Sequence, residues 1–467
     1  MAELADVVVG ASCVHDLVRR LGAWCLDSRD RIERERDRAP AARALVEHVW
    51  AAVRDVPAHH WWPVRAGTGS LAPVLTDQVV ESLGRLAPTP ALQTLALLGG
   101  LCIAVMEPWY TRQTGVVTLE RGDVLPYPRR PVNAVFDDYT PHATTTGFRD
   151  PLTDVGFLIY DGALGPVHVS FAARDLLDEA CWQRRPAGLP VVAAVFPYPD
   201  GAALQVPPEI VTEDWWFGTG PTEGAWQPDA IVAMLSAARQ DTRGERHCAV
   251  AVLPELSVLD ADELASLVRQ HWASLPDVVV MGSAHVTRAG EDGEVRANET
   301  RVFARGVELF RHRKRHPFRT RQFTPDRERP LPEGLTPVTG ISMAAGSTTT
   351  LAVLICADAF KIELVAALAR LGVNLLLVPA MSPHEAAFHA AATVVASMCQ
   401  GLCVVANGTP PGRHDQPPFK VLVSAPHRGM PVRSDAGPPG PGSAVVALFD
   451  PNVPVGDALS WLKPPSP

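Results

Sequence analysis

The chain has 467 residues, which at roughly 100–200 residues per domain suggests two or three domains. Hydrophobic residues make up 47% and charged residues 20%, so a sizeable core can be buried and a wholly disordered chain is excluded. The net charge of −9 argues against a dedicated nucleic-acid binder, although local basic patches occur.

The 42 basic residues include only four lysines, Lys314, Lys361, Lys420 and Lys463; the rest are arginines. Where Arg is used almost everywhere, each Lys invites the question of what an amine does that a guanidinium cannot. Eight cysteines, at 13, 25, 102, 181, 248, 356, 399 and 403, form no CxxC pair, which argues against a disulfide framework and against a zinc site built on paired Cys. Cys399 and Cys403 are spaced i, i+4 with no matching His/Cys pair, and are expected to be packing. The N-terminus lacks a basic region ahead of its apolar residues, so no secretory signal is expected. The most apolar stretch, Leu92–Met106, is shorter than the roughly 20 residues that span a bilayer and contains Gln93, Thr94, Gly99 and Gly100. It reads as a buried helix, and the protein as soluble and cytoplasmic, with no membrane contact.

In chain order, residues 1–185 begin with helical patterning. Leu17, Leu21, Trp24 and Cys25 share helical spacing, the charged run Asp27–Arg38 follows, and Ala41–Val53 forms a second amphipathic segment. This region is expected to be mainly helical. Asp137-Asp138 and His59-His60 lack further ligands at useful spacing and read as loop residues, so no metal is expected. From residue 186 strand and helix patterns alternate. Leu189–Val195, Ala249–Leu253, Asp277–Met281, Leu351–Ile355, Val373–Val378 and Leu402–Ala406 are short apolar runs, as strands buried on both faces require. Helical segments fall near 227–239, 260–273 and 362–371, and Arg305-Gly306 between two short apolar runs reads as a hairpin. The pattern is that of an α/β domain, ending in a Pro-rich tail at 452–467.

Cys356 follows one of these strands and precedes a turn into a helix. A nucleophile belongs there: held by a rigid strand, at its carboxyl end, near a helix N-terminus that favours thiolate. The backbone N–H of Ala357, one residue on, is placed to meet an oxyanion. By position alone, inert packing is the commoner reading of such a cysteine. Glu255 also ends a buried strand, on the crevice side of an open α/β sheet. Lys314, within FRHRKRHPF, follows a strand and stands alone among arginines and histidines; a primary amine fits a small site and donates to an oxyanion where a guanidinium does not.

Together, LPELS around Glu255, NETRVFARGVELFRHRKRHPF around Lys314 and LICADAFKIEL around Cys356 resemble the nitrilase or carbon–nitrogen hydrolase superfamily. The resemblance extends to LLLVPAMSP, VVANGTPPG and GSAVVALFDP and covers about 186–451. It implies an α-β-β-α sandwich for 186–451, a Glu-Lys-Cys triad, and hydrolysis of a non-peptide C–N bond through a thioester on Cys356. Glu255 would serve as base and acid, and Lys314 with Ala357 would stabilise the tetrahedral intermediate. A small-molecule amide or nitrile substrate, a homo-oligomer and no cofactor are implied as well. The chain departs from the family in several places. Glu328 is the nearest glutamate where a second, supporting Glu is expected, and Gln322 lies in the nearer position. After Cys356 the Asp358 and Glu363 positions match, but Phe360, Lys361 and Ile362 replace the middle. Met381 and Ser382, after a strand near the nucleophile, are expected to line the substrate site. Residues 1–185 match no familiar pattern, and capping the site, recognising substrate or binding a partner are the roles open to them. Two alternatives stand beside hydrolysis: N-acyl transfer by the same thioester, and a sensor or interaction protein with a regulatory nitrilase-like domain.

Overall fold

The computed structural model describes residues 14–28, 30–31, 115–126, 157–165, 167–171, 193–195, 228–239, 250–255, 257–258, 260–290, 293–316, 339–343, 350–373, 375–382, 384–399, 401–408, 421–424, 432–435, 446–449 and 459–462. The Leu92–Met106 segment, the Ala41–Val53 helix, His59-His60, Asp137-Asp138, Gln322 and Glu328 lie outside them.

In chain order the described helices are α1 (Val14–Asp27), α2 (Pro228–Arg239), α3 (Ala261–His271), α4 (Ile362–Arg370) and α5 (Glu385–Cys399). The strands before α2 are β1 (Gly115–Leu119), β2 (Val124–Pro126), β3 (Phe157–Ile159), β4 (Val167–Phe171) and β5 (Ala193–Val195). Those from there to Cys356 are β6 (Val250–Val252), β7 (Val278–Val280), β8 (Ala284–Gly290), β9 (Gly293–Ala304), β10 (Val307–Arg313), β11 (Thr339–Met343) and β12 (Thr350–Val353). After it come β13 (Leu375–Ala380), β14 (Leu402–Asn407), β15 (Val421–Ser424), β16 (Val432–Asp435), β17 (Val446–Phe449) and β18 (Leu459–Leu462).

The chain divides into two units. One takes in residues 1–114, 118–129 and 145–165; the other takes in 115–117, 130–144 and 166–467. In the first unit, Leu17, Leu21 and Cys25 are buried at the expected helical spacing, joined by Val18, while Trp24 is only half-buried. Gly122, at φ +93°, lies so close to α1 that a Cβ there would meet the Arg19 carbonyl and Ala23. β2 and β3 form an antiparallel ribbon beyond it. The described part of residues 1–185 therefore holds strands as well as a helix.

The second unit contains two eight-stranded sheets. One runs in the order β1-β4-β11-β12-β13-β14-β15-β16, the other β10-β9-β7-β6-β5-β17-β18, with β8 paired to β9. Both are mixed: β12, β13 and β14 run parallel, as do β5, β6 and β7, with antiparallel neighbours outside them. The side-chain alternation of a strand explains the layering. Val250, Val252, Val278, Val280 and Val302 of one sheet meet Leu351, Val353, Leu375, Leu377 and Val404 of the other in a single core. The intervening Ala251, Val279 and Phe303 turn outward and pack against Ile231 and Leu235 of α2 and Leu264 and Val268 of α3. On the other sheet α5 packs against β14, β15 and α4. Helices thus cover both outer faces, and the layers are α-β-β-α. Strands buried on both sides must be apolar throughout, which is why these runs show no polar alternation.

The hairpin at Arg305-Gly306 is a two-residue loop between β9 and β10, with Ala304 paired to Val307. Both loop residues have positive φ, +46° and +78°, the type I′ geometry whose twist matches the flanking strands. Among the described residues no helix is long and apolar enough to cross a membrane.

Candidate active site

Four chain segments converge at the carboxyl ends of four strands, three of them central and one, β10, at a sheet edge. Glu255 follows β6, Lys314 follows β10, Cys356 follows β12, and Met381 and Ser382 follow β13. Lys314 Nζ donates to Glu255 Oε1 at 2.8 Å, with each side chain 3% exposed. Asn298 Nδ2 donates to the same oxygen at 3.0 Å. The Asn298 backbone carbonyl also accepts the Lys314 N–H at 2.9 Å, so one residue of β9 fixes both members of the ion pair. A buried charge pair held by extra hydrogen bonds is costly to assemble and strongly destabilised when one partner is lost.

Cys356 opens a 3₁₀ turn, Cys356–Phe360, and has φ +44°. A left-handed backbone at a non-glycine residue is strained by about 1–3 kcal/mol, and such strain gathers at functional sites. Burial pushes the Cys356 thiol up, the Glu255 carboxylate pushes it further, and Lys314 and the Met381 N–H oppose them without prevailing. The helix that follows does not win: Cys356 rests as a neutral thiol, in contact with the carboxylate and with the Met381 amide. Ala357, next in the turn, is nearly buried.

The loop after β13 is held by Asn407. Its Oδ1 accepts the Ser382 N–H and its Nδ2 donates to the Ser382 carbonyl, each at 2.9 Å. Ser382 is fully buried, and its hydroxyl accepts the His384 N–H at 3.1 Å, so this side chain braces the loop. Across the two sheets, the Glu255 N–H donates to the Ala380 carbonyl.

Asp358 lies two residues after Cys356 and is fully buried. Burial raises its carboxyl, but hydrogen bonds from His312, His316 and the Arg315 N–H outweigh it and hold the group well below the usual carboxylate range. Asn298, His312, His316 and Asn407 carry this geometry, and none stands out in the sequence as a functional residue. The alternation of β10 was the available signal: His312 and Lys314 are buried, whereas Arg311 and Arg313 lie on the other face with Glu299 and Glu308. Cys403, 0% exposed in β14, is pushed up to about 12 by burial and serves the core. No group of three or more His, Cys, Asp or Glu suited to a metal ion occurs among the described residues.

Residues 225–427 match the carbon–nitrogen hydrolase family. All of the site residues above, from Glu255 to Asn407, fall inside the matched segment. No curated protein matches the chain. Among solved structures, an amidase from Nesterenkonia sp. is similar at 18% identity and a TM-score of 0.36, over 57% of this chain and 92% of that one. A glutamine-dependent NAD+ synthetase from Acinetobacter baumannii, in complex with adenosine diphosphate, is similar at 18% identity and a TM-score of 0.36. That likeness covers 59% of this chain and 48% of the synthetase.

Proposed function

We propose that the protein hydrolyses a non-peptide C–N bond of a small amide-type substrate through a thioester on Cys356. One observation carries the reading: the Lys314 ammonium and the Cys356 thiol meet the same buried carboxylate, Glu255. Because the thiol is held neutral, attack needs a base in contact with it, and Glu255 is in place. As sulfur attacks the carbonyl carbon its proton passes to Glu255, a C–S bond forms, and the C=O electrons move onto oxygen. Lys314 and the Ala357 N–H stabilise that oxyanion; removing one such donor costs about 10²–10³ in rate. Glu255 then gives its proton to the departing nitrogen, the C–N bond breaks, and an amine or ammonia leaves. Water, deprotonated by Glu255, attacks the thioester, the acid departs, and the proton returns to sulfur. The loop carrying Met381 borders the reacting carbon.

The test is direct. Intact-protein mass after brief exposure to p-nitrophenyl acetate should rise by one acetyl group, mapped to Cys356, and a panel of short aliphatic amides should release ammonia or amine. The reading fails if Cys356→Ala retains either activity, or if the label maps to another cysteine.

A further inference from the structure

The buried carboxylate of Asp358 stands outside the proton transfers just described, yet several hydrogen bonds converge on it. Its Oδ1 accepts the His316 N–H at 2.8 Å, meets His316 Nδ1 at 3.0 Å and accepts the Arg315 N–H at 3.0 Å. Its Oδ2 meets His312 Nε2 at 3.1 Å and shares the Arg315 N–H at 3.2 Å. These contacts come close to filling the roughly four acceptor positions of a carboxylate. Their donors bracket Lys314: His312 two residues before it, Arg315 and His316 just after. Asp358 itself is two residues from Cys356, in the same 3₁₀ turn.

We infer that Asp358 is a positioning residue for the reaction, clamping the segment that carries Lys314 onto the turn that carries Cys356 and so fixing the ammonium relative to the attacked carbon. The inference rests on the reading of Lys314 as an oxyanion donor. The physical reason is geometric. Lys314 reaches the site on a flexible four-carbon stem, and a β-strand end held only by its ladder can shift. Displacing a catalytic group by about 1 Å costs about 10²-fold in rate. With the main-chain N–H groups of Arg315 and His316 bound to one carboxylate, and His312 bound from the other side, the backbone around Lys314 is held at several points. The Asn298 carbonyl adds another, through the Lys314 N–H. A carboxylate suits this task better than an amide, because both oxygens accept and the charge strengthens every bond. Asp358 would act on rate through Lys314 alone.

That last statement is what separates a clamp from a merely structural carboxylate. The measurement is the single-turnover rate of Cys356 acetylation by p-nitrophenyl acetate, in the full chain, for wild type, Asp358→Asn, Lys314→Met and the double variant. Asp358→Asn should lose about ten- to a hundredfold, with little change in KM. In the Lys314→Met background the same substitution should cost less than about twofold, because there is no ammonium left to misplace. If the two losses multiply in the double variant, or if Asp358→Asn acylates at the wild-type rate, the clamp is wrong while the proposed chemistry stands. If Lys314→Met itself acylates at the wild-type rate, the reading of Lys314 fails and takes the clamp with it. Should Asp358→Asn not fold, His316→Ala replaces it: that side chain is 38% exposed, and a loss of about threefold or more that disappears in Lys314→Met supports the clamp. Equal losses in both backgrounds overturn it.

Discussion

Cys356 is buried and neutral, two properties that would ordinarily make a thiol inert. On the proposed mechanism its reactivity is supplied by Glu255, which gives a residue-scale prediction. An ester with a good leaving group needs no protonation of the departing oxygen, whereas an amide needs its nitrogen protonated. Glu255→Gln should therefore slow amide turnover at least about tenfold more than acetylation by p-nitrophenyl acetate, since general acid catalysis contributes about 10²–10⁴-fold. Equal losses on the two substrates would remove Glu255 as the acid. Glu255, Lys314 and Cys356 were singled out in the sequence because each ends a strand or strand-like run and because together their segments resemble the carbon–nitrogen hydrolases, and the three side chains do meet in the fold. Asn298, His312, His316 and Asn407 were not, since their parts are hydrogen bonds to groups far away in sequence: 43 residues from Asn298 to Glu255, 46 from His312 to Asp358. Asn298 acts through its place on β9, and periodicity reveals which face a residue takes but not what it meets there.

At the scale of elements, the strand ends decide where chemistry can occur, and their exits are tightly built. Gly282, just past β7, has φ +71°, and a Cβ there would clash with the Pro254 carbonyl and lie 2.5 Å from Ser257 Oγ. Pro254 immediately precedes Glu255, and its carbonyl accepts the Ser257 hydroxyl at 2.7 Å. Gly282→Ala should thus push on the turn that aims the base. The expected result is a loss of stability of about 1–3 kcal/mol by urea titration, accompanied by a fall in kcat for any amide the wild type turns over. A variant as stable and as active as wild type would show that the turn yields freely. The continuous apolar runs foretold the central strands, since burial on both faces leaves no other composition. Short strands, β11 and β15 to β18 among them, were missed because four or five residues carry too little pattern. Helix α4 was found, but its buried face is wider than one stripe: Leu364 and Ala367 join Val365, Leu368 and Ala369, while Ile362 is only half-buried.

Over the whole molecule, the sandwich reaches further back in the chain than the apolar runs suggest, because β4 pairs in parallel with β11 beside β12. Its stability should carry the signature of Asp358. A carboxyl held below its ordinary value contributes stability that is fully present above the unfolded value, about 3.9, and is lost as pH falls below it. Urea midpoints of wild type and Asp358→Asn, measured from pH 7 downward, should therefore begin to converge once the pH drops below about 4 and go on converging as it falls further. A gap that stays constant with pH would mean that the carboxylate's charge adds nothing to the fold. One contact between the sheets has a wider consequence. The Glu255 N–H bonds to the Ala380 carbonyl, and the loop beyond Ala380 is braced in turn by Asn407. Base, ammonium, nucleophile and loop are thus drawn from both sheets, over a span of more than a hundred residues. Long-range pairings of this kind form late in folding. On the proposed mechanism, the reactivity of Cys356 is therefore withheld from a chain still being made: a nascent or half-folded copy has the cysteine but not the Glu255 carboxylate beside it, and only the finished protein is armed.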